Sequence, residues 1–260
     1  MPDRARPRQR LLAGLAELAI IIAGVLIALW ADQWWADRQD LRTQETYLAA
    51  LDDDISETVG TLRSLMADFE SWRDAAATLS KLGGRSADLP PKDVLFDLIS
   101  RALFQIASLE TRLAAYEDLK TTGRLGLIAD AGLRRNLAQV DQMLQDIRSS
   151  ESDLWESQHI SVDPFLVART DMVAVARAGD LADTRDNEEM RQLGLPTAAD
   201  LIGEPVGLDP RTLLADPTFR GLLAFRLVLL TEALLRYRRL ENLLLEIQGQ
   251  IASARLAPGG

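Results

Sequence analysis

Read as a pattern of apolar and polar positions, the chain opens on a basic stretch. Arg4, Arg6, Arg8 and Arg10 stand there against a lone acid, Asp3. From Leu11 to Trp30 every residue is apolar or small except Glu17. A helix over that run covers about 30 Å, the thickness of a hydrocarbon core. Trp30, Trp34 and Trp35 fall at its far end, where an aromatic belt belongs. The next flank mixes Asp37, Arg38, Asp40 and Arg42, so the arginine excess lies on the N-terminal side. The pattern predicts a transmembrane helix over 11–31, a cytoplasmic basic tail over 1–10, and the bulk of the chain on the periplasmic side of a bacterial inner membrane. A cleaved signal peptide has an apolar core of only about 7–15 residues and a small-x-small exit. Leu29 and Trp30 spoil that exit, so the anchor is read as uncleaved.

Past the apolar run a seven-residue line continues through Trp34, Leu41, Leu48, Ile55, Leu62, Phe69 and Ala76. A second line, Leu51, Leu65, Trp72 and Leu79, is interrupted at Gln44 and Thr58. No proline or glycine falls between Gly24 and Gly60. These spacings predict one long helix, continuous with the anchor and ending near Leu79. The line suits either a coiled coil between copies or packing within one chain. Gly83-Gly84 and Pro90-Pro91 mark a turn. A second helix is predicted from Lys92 to Thr122, stopped by Gly123 and Gly126. A third is predicted near Ala131–His159, with Asp130 as its N-cap. Prolines 164, 196, 205 and 210 chop the pattern over 160–216 into an irregular excursion of short helices and loops, one helix starting near Thr197. Asp216-Pro217 then opens a final helix to about Ser253, on the line Leu223, Leu230, Tyr237, Leu244 and Ile251. Its stretch Gly221–Leu235 contains Arg226 and Glu232. Each charge in a span costs about 2.5–3.5 kcal/mol, so this helix is read as buried in a soluble bundle rather than in lipid. The fold class is all-α: a helical bundle over 32–254, running up-down-up-down so that the last helix returns toward the anchor, with a frayed tail over 255–260.

Composition narrows the chemistry. The 260 residues carry a net charge of −10, and 47% are hydrophobic, enough for a real core. There is no cysteine and one histidine, which removes thiol nucleophiles, disulfides and any site needing two imidazoles. The acidic balance argues against nucleic acid as a partner, because phosphate neutralisation needs clustered Lys and Arg. No GxxxxGK[ST] phosphate loop occurs, and Asp52, Asp53 and Asp54 lack the spacing of a calcium loop. They read as the solvated face of the long helix. His159, near Glu156 and Asp163, reads as a helix-end histidine lacking metal partners. Neither a cofactor nor a catalytic residue is expected.

Two blocks carry a resemblance. Glu17 to Ile55 combines an acid within an Ile/Val-rich run, the turn GVLIAL, tryptophans, mixed charges and YLAALDDDI. Thr111 to Leu137 reads TRLAAYEDLKTTGRLGLIADAGLRRNL. Both, in this order, resemble a family of uncharacterised bacterial proteins with one N-terminal membrane span. The resemblance implies the anchored helical architecture and supplies no activity.

Two groups of residues are candidates for function. Glu17 shares its side of the apolar helix with Gly24, Ala28 and Ala31, small residues that let a second helix approach. Its readings are packing or snorkelling to the interface, contact with another membrane protein or a second copy, and ion or proton coupling. Thr121, Thr122 and Gly123 offer hydroxyls and a turn for a small ligand, or simply end a helix. The leading expectation is a scaffold or sensor for a membrane partner, without catalysis. The alternatives are a subunit of an ion- or proton-coupled assembly using Glu17, and a carboxylate-dependent hydrolase of the envelope.

Overall fold

The computed structural model describes residues 7–83, 89–178 and 190–256, with side chains from residue 21 onward except at 37, 198 and 199. Its first element, α1 (Pro7–Leu82), is a single helix of 76 residues, on the order of 110 Å long. The apolar line divides along it. Leu48, Ile55, Leu62, Phe69 and Ala76 are buried, whereas Trp34 and Leu41 on the same line are exposed. The packed bundle therefore starts at Tyr47 and Leu48, and ahead of it is a rod, where every described side chain from 21 to 42 is exposed. Thr58, which interrupts the second line, is also buried. Its hydroxyl donates to the Asp54 carbonyl at 2.8 Å and meets the Thr111 hydroxyl at 2.7 Å. The helix stops one turn later than expected. At Gly83 a Cβ would stand 3.1 Å from the Leu214 carbonyl oxygen, so the missing side chain lets two backbones pass closely.

The expected second helix is broken. α2 spans Lys92–Leu103, residues 104–113 are not helical, and α3 spans Ala114–Thr121. The pattern there keeps a helical period, but acceptors on other helices take the Leu109 N–H within it and an N–H of the first turn of α3. Glu151 accepts from the Leu109 N–H at 2.8 Å, and Asp54 accepts from the Ala115 N–H at 2.8 Å. The Gln105 carbonyl in turn accepts from the Arg226 guanidinium. These bonds replace the helical ladder while leaving Leu109 and Leu113 buried. Asp54 is therefore a structural acceptor rather than one of three solvated acids, and Asp52 lies 3.8 Å from Arg255.

α4 (Ala131–Ser157) begins where the sequence predicts. The Asp130 carboxylate accepts from the N–H groups of Gly132 and Leu133. The helix does not end at His159. It passes through a π-helical turn, Gln158–Val162, directly into α5 (Asp163–Arg169). Pro164 has no N–H with which to continue the ordinary ladder, and the Asp163 N–H reaches back five residues to the Gln158 carbonyl. α6 (Met172–Ala178) follows, and the excursion contains one-turn helices at Ala198–Leu201 and Arg211–Leu214. α7 (Pro217–Leu256) closes the chain, opened by Asp216 accepting from the Thr218 N–H at 2.7 Å.

Cross-helix bonds fix the topology. Along α1 and α7 the pairs are Asp52–Arg255, Ser56–Gln248, Arg63–Glu241 and Glu70–Arg238, an antiparallel register. Asn136–Glu246 and Glu151–Tyr237 make α4 antiparallel to α7 in turn. Thr58–Thr111 and Tyr47–Asp118 show the α2–α3 limb descending against α1. The final helix thus runs back toward the rod, completing an up-down-up-down bundle.

The core lies in two layers. A proximal layer gathers Leu48 to Trp72 of α1 with α3, α4 and the second half of α7. There Tyr237 meets Phe69 edge-on at 5.2 Å between ring centres. A distal layer gathers Ala75 to Leu79 with α2, α5, α6 and the start of α7. Arg226 sits between them, 2% exposed. Burial pushes its pKa down to about 10, against the opposing charge of Asp163. This explains the charge that set Gly221–Leu235 apart from a membrane span: it is a buried donor spent on the broken limb.

Candidate functional site

The rod and one cleft hold the residues singled out by sequence. From residue 21 to Arg42 every described side chain is exposed, including Ile27 at 66%, Trp30 at 69% and Trp35 at 67%. So much contiguous apolar surface is rare on a protein that faces only water. Gly24 has nothing within 4 Å of where a Cβ would stand, and Ala28 and Ala31 are exposed beside it. The Arg38 guanidinium covers the Trp34 ring at 4.4 Å, a cation–π contact one turn further on. Among the described residues no helix is long and apolar enough to cross a membrane. The expected span includes 11–20, whose side chains lie outside the described residues, and that of Glu17 is among them.

The second group lies at the foot of the bundle. The Thr121 hydroxyl donates to the Glu117 carbonyl at 2.9 Å, and the Thr122 hydroxyl to the Asp118 carbonyl at 2.7 Å. Gly123 takes φ +70°, a left-handed conformation that glycine adopts without steric cost. These three residues close a helix end in the usual way. Thr121 also reaches a cleft of about 550 Å³ between α3 and α4. One wall carries Arg112, Tyr116 and Lys120, and the other Asp141, Leu144 and Arg148. Lys120 bridges the walls, donating to Asp141 at 2.9 Å and to Glu117 at 2.9 Å. Those two hydrogen bonds hold its ammonium well above the ordinary lysine range.

Sequence reading missed the cleft, because Asp141 and Arg148 come near Lys120 and Arg112 only through the antiparallel packing. It also missed Asp171. This carboxylate is 2% exposed and accepts from the N–H groups of Ala174 and Gly207, at 3.2 and 2.7 Å. Burial alone would raise its pKa, but backbone donors at Gly207, Ala174, Val206 and Leu208 outweigh that and hold it below the usual carboxylate range.

Several other acids are engaged structurally. Glu241 is 5% exposed and takes Arg63 at 2.7 Å and Arg238 at 3.0 Å; Arg63 first, then Arg238, keeps its pKa low despite burial. Arg236 lies 4.0 Å from Glu232. His159 shares a 2.7 Å hydrogen bond with Asp163, its ring edge-on to Trp155. Among the described residues no group of three or more His, Asp or Glu is placed to hold a metal ion. No family model, curated protein or solved structure matches the chain.

Proposed function

We propose that the chain is a single-pass inner-membrane protein whose periplasmic helical bundle serves as a scaffold or sensor for a membrane partner, without catalysis. The observation that carries this reading is the rod: a run of exposed apolar side chains on a helix that continues unbroken into the packed core at Leu48. Lipid around residues 11–30 would cover that surface, and a second copy or another membrane helix could seat against Gly24, Ala28 and Ala31. The arginines of 1–10 support a cytoplasmic N-terminus. The acids Asp54, Glu151, Asp171 and Glu241 are all taken up by donors of the fold, which favours binding over acid–base chemistry. The same architecture is what the family resemblance of 17–55 and 111–137 implies.

The test is carbonate extraction of cell membranes, together with alkaline phosphatase fused at the C-terminus. The protein is expected to stay in the pellet and the fusion to be active. Release into the supernatant, or a fusion active only in the cytosol, overturns the reading. Crosslinking through single cysteines placed along 24–62 of this cysteine-free chain then reports what lies against the rod.

A further inference from the structure

The cleft between α3 and α4 is asymmetric in charge. Its walls run antiparallel, so Lys120 faces Asp141 at one end and Arg112 faces Arg148 at the other. Asp141 lies about 10 Å down α4 from Arg148, and its carboxylate is already bonded to Lys120. The other nearby acids are also engaged. Glu117 holds Lys120, Asp118 accepts from the Tyr47 hydroxyl at 2.5 Å, and Glu151 takes the Leu109 N–H and the Tyr237 hydroxyl. Among the described residues neither Arg112 nor Arg148 has a hydrogen-bonding or ionic partner, although Glu110 is only two residues from Arg112. Two exposed guanidinium groups line the same cleft from opposite walls, neither bonded to a protein acid, and their donors are open to an anion. The forked donors of arginine match carboxylate and phosphate oxygens. Between the two ends Tyr116 and Leu144 are buried beneath the cleft, and the Lys120 ammonium lies over the Tyr116 ring at 5.3 Å. The volume of about 550 Å³ suits a small molecule.

We propose that this cleft binds a small anion, its carboxylate or phosphate group held by Arg112 and Arg148. The inference rests on the sensor half of the proposed function and supplies its ligand class; it does not depend on the membrane topology. The fit is electrostatic, and the Lys120–Asp141 bridge closes the other end.

The experiment is calorimetric titration of the purified full chain in detergent, in low-chloride buffer. Hexanoate and inorganic phosphate are separate arms, and hexylammonium is the charge-reversed control. Saturable binding of hexanoate, weakened about tenfold or more by Arg112→Ala or Arg148→Ala and lost in the double variant, is expected. Arg135→Ala, on the far side of α4, should bind as the wild type does. Phosphate binding with the same arginine dependence also supports the site and assigns the group to phosphate. The unliganded double variant should melt no lower than wild type, since both side chains are exposed and neither bonds a protein acid; this separates lost binding from lost folding. Absence of saturable binding in both arms, binding that survives the double variant, or hexylammonium binding as well as hexanoate would overturn the proposal. None of these results moves with the outcome of the topology test.

Discussion

Among single residues, Asp171 shows most directly how charge is spent on shape in the distal half. One buried carboxylate stands where a turn of backbone N–H groups converges, and it ties Gly207 of the excursion to the start of α6. Replacing it with asparagine turns an amide N–H toward other donors. Asp171→Asn should cost about 2 kcal/mol in urea unfolding. The pH dependence follows from a folded-state pKa held below its unfolded value. The contribution is fully present above about pH 4 and is lost as pH falls through the folded pKa. The gap between wild type and Asp171→Asn should therefore narrow on acidification below about pH 4, read from urea midpoints across pH. The sequence around Asp171 could signal only half of this role: Ala174 is three residues on, at capping distance, but Gly207 lies 36 residues away along the chain.

Whole elements were legible where local signals agreed with packing. Asp130 caps α4 and Asp216-Pro217 opens α7, because an N-cap acts within three residues of itself. The seven-residue line through Ile55 and Leu62 was equally readable, since both residues face one core. The limb at 104–113 was not. Ile106, Leu109 and Leu113 keep a helical spacing, yet Glu151 and Asp54, from two other helices, decide the backbone there. Local propensity lost to distant acceptors. Glu151→Ala should confirm this by stranding two donors at once, the Leu109 N–H and the fully buried Tyr237 hydroxyl. A loss of about 2–3 kcal/mol is expected, and it should shrink in a Tyr237→Phe background, where one of those donors is already gone. The charged cleft was hidden for the same reason, since Arg112 and Arg148 become neighbours only through the register of α3 against α4.

At the scale of the whole molecule, two parts with different demands share one helix. The packed core begins at Tyr47, and the described part of α1 before it contributes no buried side chain. A version lacking 1–46 should therefore remain folded. Its thermal midpoint should lie close to that of the full chain, and it should stay in the supernatant without detergent; melting by circular dichroism and sedimentation check both. Loss of cooperative melting in that version would show that the rod stabilises the bundle.

The absence of a joint in α1 has a mechanical consequence. With no proline or glycine between Gly24 and Gly60, the stretch from Gly24 to the core is a lever about 35 Å long. A tilt of about 10° where it enters the bundle sweeps its tip sideways by about 6 Å, whereas twisting it by one residue step, about 100°, would have to wrench Leu48, Ile55, Leu62 and Phe69 out of their seats. The free end can swing but not spin, so whatever grips it can transmit torque to the bundle but cannot rotate independently of it.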